Sequence, residues 1–224
     1  MHDVNTYLSV NGVRLTLNHR CILSAINLQC HRHQVTGLLG RNGAGKSCLF
    51  QVIYGILPAE KSIEFNGQVL YAAYRRPDLI TSLPQFHFIP KRATIRSVLK
   101  NFGLTPDELL HYFPGFRGSD TGAMGNLSTG ERRLIEIFTI VRSAAAFSLL
   151  DEPFSNLSPL HTETVMQLIK NETSRKGFLI TDHRFQQVLD IAQKAYVLKN
   201  GGTHLVEHNE DLALLGYTSY RNPG

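Results

Sequence analysis

Eight consecutive residues, Gly40-Arg41-Asn42-Gly43-Ala44-Gly45-Lys46-Ser47, have the types and spacing that hold phosphate. In the pattern Gly-x-x-x-x-Gly-Lys-Ser, the glycines let backbone N–H groups turn inward around anionic oxygens. The lysine can reach the β- and γ-phosphates of a nucleotide, and the serine hydroxyl can ligate Mg²⁺. Far along the chain, Phe147-Ser148-Leu149-Leu150 runs into two acids, Asp151 and Glu152. The first carboxylate can complete a Mg²⁺ shell, and the second can polarise a water for in-line attack on a γ-phosphate. The two segments together point to chemistry on a nucleoside triphosphate.

Such a loop works only between a strand and a helix, because the helix N-terminus supplies part of the field that favours the anion. Val35 to Leu39 is an apolar run suited to a buried strand. Leu49, Phe50, Val52, Ile53, Ile56 and Leu57 recur at helical spacing until Pro58. Upstream, Tyr7 to Val10 and Val13 to Leu17 flank Asn11-Gly12 and read as a hairpin, and Ile22 to Leu28 alternates as a half-buried strand. Between Lys91 and Gly122 the character changes. Thr94 to Phe102 and Pro106 to Phe113 read as two short helices, the second opened by Thr105, Pro106 and Glu108 as N-cap, first-turn proline and capping acid. Gly115, Gly118 and Gly122 then suggest a loose loop.

Strand and helix alternate again to the end. Leu134 to Ala146, His161 to Asn171 and Phe185 to Ala192 are expected as helices. Phe147 to Leu150, Phe178 to Thr181 and Tyr196 to Leu198 are expected as strands, the last closed by Asn200-Gly201-Gly202. The fold class is α/β: a P-loop core with a mostly parallel sheet, an antiparallel β subdomain and a small helical insertion. One domain spans 1–224, with the core in about 1–85 and 123–224 and the insertion in about 86–122.

Composition excludes other classes. The 224 residues are 42% hydrophobic and 18% charged, which is neither disordered nor fibrous. Three cysteines, Cys21, Cys30 and Cys48, make no even framework and no CxxC pair, so a reducing compartment is expected. Met1 to Asn5 carries no basic leader. The apolar stretch Ala144 to Leu150, broken by Ser148, is far short of the roughly 20 residues that span a bilayer. A net charge of +5 suits an anionic partner or simply a basic surface.

Several further motifs fall into one order, and that order resembles the ATP-binding cassette (ABC) ATPases. Leu127-Ser128-Thr129-Gly130-Glu131 looks like the signature LSGGQ, and Gln85 in Ser82-Leu83-Pro84-Gln85 looks like the Q-loop glutamine. Ser155-Asn156-Leu157-Ser158 sits where the D-loop follows the second acid, and Ile180-Thr181-Asp182-His183 resembles the switch-histidine strand end. The resemblance covers roughly Tyr7 to Gly202. It implies ATP and Mg²⁺ as ligands, with catalysis by Glu152, His183, Gln85 and Lys46. The metal falls to Ser47, Gln85 and Asp151. Nucleotide contacts are implied for Gly40, Arg41, Asn42, Gly43, Ala44, Gly45, Lys46, Ser47, Cys48, Ser128 and Gly130. Ser128 and Glu131 also form an S-x-x-E capping box, so a helix dipole points outward at the signature.

The departures are specific. Thr129 and Glu131 replace Gly and Gln of the signature, and Cys48 replaces the Thr that commonly follows the loop hydroxyl. Leu17 falls where an aromatic usually stacks on adenine. What the resemblance implies is a transporter's ATP-hydrolysing subunit, closed by ATP into a head-to-tail dimer with itself or a related cassette. A separate transmembrane subunit would place it on the cytoplasmic face of a membrane, with no nucleic acid expected. Phe86, Phe88 and Ile89 read equally as the lining of a groove for that subunit or as insertion core. A second reading is a soluble ABC ATPase acting on nucleic acid or on a protein assembly such as an iron–sulfur scaffold, with Arg75-Arg76, Lys91-Arg92 and Arg132-Arg133 as paired basic sites.

Overall fold

A computed structural model describes residues 6–116, 118, 121–214 and 216. Met1 to Asn5 lie outside them, and so does part of the glycine loop between Gly115 and Gly122. In chain order the elements are β1 (Tyr7–Leu17), β2 (Arg20–His31), β3 (Val35–Leu39), α1 (Lys46–Tyr54), β4 (Glu60–Phe65), β5 (Gln68–Val69) and β6 (Ile80–Leu83). Then come α2 (Ile95–Asn101), α3 (Pro106–Tyr112), α4 (Thr129–Arg142), β7 (Phe147–Asp151), α5 (Pro159–Glu172) and β8 (Gly177–Thr181). The chain continues through α6 (Phe185–Leu189), β9 (Lys194–Lys199), β10 (Gly202–Val206) and α7 (Asn209–Leu214).

The strands form one ten-stranded sheet in the order β5-β4-β1-β2-β10-β9-β3-β8-β7-β6. Strands β9, β3, β8, β7 and β6 run parallel, while β2, β1, β4 and β5 form an antiparallel wing. The wing meets the core at a parallel bridge, Gly202 to Ala25, flanked by bonds from the Ser24 and Ala25 N–H groups to the Gly201 carbonyl. Side chains alternate between two apolar clusters, as the two-residue period of a strand demands. Val35, Leu39, Leu150, Phe178, Ile180 and Val197 face the cluster shared with α4, α5 and α6. Leu38, Leu149, Leu179 and Leu198 face the other, which α1 shares with the antiparallel wing. Burial on both faces explains why the central strands are almost wholly apolar.

The expected hairpin at Asn11-Gly12 is not there. Gly12, at φ 60°, lies inside β1, where the β1–β2 register slips between Asn11 and Val13. That slip is a bulge, and β1 continues because it is paired on both edges, with β2 and with β4. The turn comes at Asn18-His19, both with positive φ (48° and 61°), as a two-residue turn between right-twisted strands requires. Asn66-Gly67 (φ 50° and 77°) turns β4 into β5 in the same way. The helix after the phosphate loop also stops earlier than expected. Gly55 at φ 89° caps α1, its N–H donating to Gln51 and Val52, so Pro58 lies beyond the end.

Strands β4, β5, β6 and β10 have no strong apolar signal. In β6 the buried Thr81 hydroxyl is shared with Ser143 (3.1 Å) and Ser148 (2.9 Å), so these three hydroxyls sit in the core with their hydrogen bonds met. Helix α4 is tied at both ends. Ser128 and Glu131 close a capping box at its start, and Lys176 Nζ donates to the carbonyls of Ile140 (3.2 Å), Val141 (3.3 Å) and Ser143 (3.1 Å) at its finish. Helices α2 and α3 place Leu99 and Leu109 in the same apolar cluster as Leu134 and Phe138 of α4.

Candidate active site

Register brings the chemical residues to one edge. Leu83 pairs with Leu150, Leu150 with Ile180, and Asp151 with Thr181, so β6, β7 and β8 finish together. Gln85, Glu152, Asp182 and His183 therefore follow the carboxyl ends of neighbouring parallel strands, and the loop starting at Gly40 follows the end of β3. Ligands of open parallel sheets sit at that edge. The loop meets Gln85, Glu152 and His183 around a cleft of about 600 Å³. Leu17, Ile22, Asn42, Gly43, Gly45, Lys46, Ser47 and Cys48 complete its lining.

The loop has the backbone its glycines predict. Gly43 stands at φ 78° and Gly45, the N-cap of α1, at φ 103°. A Cβ on Gly45 would also meet Ile22 Cγ2 at 3.0 Å and Leu23 Cδ2 at 3.1 Å, so conformation and space both require glycine there. Lys46 is buried, and its Nζ donates to the carbonyls of Gly40 (2.6 Å) and Arg41 (3.2 Å). Burial pulls its pKa down, against the opposing charges of Glu152, Asp151 and Asp182. The ammonium is thus stowed under its own loop, where phosphate oxygens can replace the two carbonyls.

Asp151 is buried, and burial pushes its carboxyl up to about 6, although the Ser47 hydroxyl donates to it and Lys46 and Arg133 lie nearby. Its Oδ1 is enclosed and has no hydrogen-bond partner. An orphaned carboxylate oxygen beside a serine hydroxyl is a donor set that fits Mg²⁺, a hard cation that takes one or two carboxylates and completes its shell with phosphates and water. Among the described residues no group of three or more His, Cys, Asp or Glu side chains could hold a metal. A cation here therefore depends on phosphate oxygens as well.

Glu152 adopts φ 50°, a left-handed backbone that a glutamate rarely takes. Its Oε2 accepts from Gln85 Nε2 at 3.0 Å and from the Ser155 hydroxyl at 3.2 Å. His183 Nδ1 lies 3.4 Å from Ser155 Oγ and 3.8 Å from Glu152 Oε2. Asp182, raised in pKa by burial, accepts from the backbone N–H groups of Phe154 and Arg184 (each 2.9 Å) and so fixes the turn that presents His183. Gln85, Glu152 and His183 thus meet at one point, with Lys46, Ser47 and Asp151 beside them. Gln85, also expected on the metal, donates its amide to Glu152.

Ser128 and Gly130 line no part of this cleft. Glu131 Oε2 accepts from Ser128 N (3.0 Å) and Oγ (2.7 Å), bonds that hold its carboxyl below the ordinary range. The charge that replaces the signature glutamine is committed to the cap. Gly130 packs against the Asn156 carbonyl, which a Cβ would meet at 3.2 Å.

Two sequence expectations need correcting. Arg132 and Arg133 are not a surface pair: they are 9% and 3% exposed, and Arg133 donates to the carbonyls of Pro84, Asp151 and Glu152. That removes one of the three basic pairs offered for nucleic acid. Of Phe86, Phe88 and Ile89, only Phe86 is exposed, while Ile89 is buried in the core and Phe88 packs against it, so the three do not line one groove and the core reading holds for two of them. Two further residues bear on the site without a motif that marks the role: Ser155, whose hydroxyl donates to Glu152, and Glu136, which is fully buried beside Arg133.

Among the described residues no helix is long and apolar enough to cross a membrane. The family model described as ABC transporter matches residues 23–155. An uncharacterized ABC transporter ATP-binding protein of Rhizobium meliloti (strain 1021) is 33% identical over 210 residues, covering 87% of this chain and 77% of that protein. The lipopolysaccharide export system ATP-binding protein LptB of Haemophilus influenzae is 30% identical over 211 residues, covering 87% of each. A solved ATP-binding subunit of an ABC transporter superposes with a TM-score of 0.81 at 21% identity, covering 95% of this chain and 94% of that one. A bacterial Atm1-family ABC exporter with ATP bound gives 0.80 at 20% identity, covering 95% of this chain and 41% of the exporter.

Proposed function

The chain belongs to the ABC transporter family of ATP-binding proteins, and from that premise we propose that it is the ATP-hydrolysing subunit that powers a membrane transporter. The observation that carries this reading is the meeting of Gln85, Glu152, Ser155 and His183 beside the phosphate loop. Lys46 and the loop amides take the triphosphate. Glu152 accepts the proton of the attacking water, Gln85 and His183 hold that water in line, and Ser155 fixes the carboxylate rotamer. Ser47 and Asp151, with Gln85 at the edge, are the residues that would hold Mg²⁺, which when bound neutralises charge on the β- and γ-phosphates. Release of phosphate from ATP by the purified chain, dependent on Mg²⁺, tests the reading. A chain that binds ATP and never releases phosphate sinks it.

Exposed Ser128, at the positive end of α4, supports a role outside its own cleft: contact with the γ-phosphate of ATP held by a second copy or a related cassette. In this reading ATP closes two protomers head to tail and hydrolysis reopens them. Residues 86–122 act as the helical insertion that meets a separate transmembrane subunit on the cytoplasmic face. Relatives named as ATP-binding proteins of transport systems support that arrangement.

The base falls at the Leu17 and Ile22 end of the cleft, where these two described lining residues are aliphatic. Leu17→Tyr should therefore tighten ATP binding about two- to tenfold through stacking, measured by titration calorimetry. An unchanged affinity would show that the base does not rest on Leu17.

A further inference from the structure

We propose that Arg133 and Glu136, two buried residues one turn apart on α4, are positioning residues that hold Glu152 and Gln85 in reach of each other. The proposal rests on the hydrolase reading above. Glu152 keeps its left-handed backbone only if its surroundings over-determine it, since a residue with a side chain is strained in that conformation. Three contacts do so. Its N–H donates to the Thr181 carbonyl at 2.7 Å, and its own carbonyl accepts from Arg133 Nη2 at 3.1 Å and, at 3.4 Å, from the N–H of Ser155. The same Nη2 donates to the Asp151 carbonyl at 2.8 Å, while Nη1 donates to Pro84 at 2.8 Å. One planar guanidinium therefore spans the ends of β7 and β6 directly before Gln85. A lysine is a point charge and cannot reproduce that fork.

A guanidinium that is 3% exposed among three carbonyls needs a counter-charge. Glu136, 0% exposed, supplies it with Oε2 3.8 Å from Arg133 Nη1. Glu136 also reaches the far side of Gln85: its Oε2 lies 2.9 Å from His87 Nδ1, and its Oε1 accepts from Ile89 N at 3.4 Å. Arg132, 3.5 Å from the same Oε1, donates to the Ile89 carbonyl. Gln85 is thus bracketed, by Arg133 on Pro84 and by Glu136 on His87 and Ile89. This sets the 3.0 Å bond from Gln85 to Glu152. His87 also lines a separate pocket of about 210 Å³ with Lys91, Met124, Leu127 and Thr129.

The test uses the purified chain and Mg·ATP. Glu136→Gln keeps volume and removes charge, and Arg133→Lys keeps charge and removes the fork. Each should lower kcat about 10–100-fold, the scale of a small misplacement of catalytic groups, with ATP affinity changed less than about threefold. Each should add no further loss in a Glu152→Gln background, because its effect passes through Glu152. An unchanged kcat overturns the proposal, as does an equal loss in the Glu152→Gln background, which would mark a merely structural role. If Arg133→Lys does not fold, Glu136→Gln alone decides by the same two readouts. A wild-type chain without ATPase activity overturns the hydrolase reading and this proposal together. An active wild type with an inactive Glu152→Gln, and with both α4 variants at wild-type kcat, overturns only the proposal.

Discussion

Glu152→Gln is expected to leave ATP binding intact and to slow phosphate release by about 10²–10⁴-fold, the usual contribution of a positioned general base. That corresponds to about 3–5 kcal/mol of barrier. The substitution is close to a single-function change. A glutamine side chain still presents an oxygen to Gln85 Nε2 and to the Ser155 hydroxyl, which hold Oε2 at 3.0 and 3.2 Å. It is equally able to occupy the turn at φ 50°, because that conformation is held by backbone bonds to Thr181 and Arg133. What it cannot do is take a proton from water. Turnover at the wild-type rate would remove Glu152 from the mechanism. The same variant should accumulate the ATP-closed state, so light scattering with Mg·ATP should report a doubled mass. A monomer at every ATP concentration contradicts composition of the site from two copies.

The parts of this site that were legible in the sequence are those whose backbone or burial leaves few residue choices. A loop that turns amides around phosphate needs glycines at Gly43 and Gly45, both at positive φ, so the motif is written in residue type. Strands β3, β7 and β8 are buried on both faces and stand out as apolar runs, which placed Asp151 and the Asp182-His183 pair at strand ends. Strand β6, which carries Gln85 at its end, was hidden because its Thr81 is satisfied by Ser143 and Ser148, remote in the chain. The hairpin signal was misplaced because Asn-Gly marks positive φ without saying whether a turn or a bulge uses it. Arg132-Arg133 read as surface charge because no local pattern says that Glu136, one helical turn on, is buried with them. Burial of charge is decided by what packs against α4, and that is long-range information.

Lys46→Ala is expected to weaken ATP binding by about 10²-fold or more, the scale of leaving one member of an enclosed charge pair without its partner. Among the described residues lining the cleft Lys46 is the only lysine or arginine, so none of the others can take over the phosphates. The loop itself should survive. The carbonyls of Gly40 and Arg41 lose the ammonium, but Gly40 is only half-buried and Arg41 is exposed, and Gly43 and Gly45 keep the turn. An unchanged circular dichroism spectrum with lost affinity is therefore the expected pair of results. Arginine should not rescue it. The lysine stem runs tightly beneath Gly40, whose missing Cβ would lie 3.3 Å from Lys46 Cγ and 3.2 Å from Cδ, and the broader guanidinium has no room to fold back there. An alanine variant that binds ATP with wild-type affinity would mean that the triphosphate does not sit in this loop, and the roles assigned to Ser47 and Asp151 would fall with it.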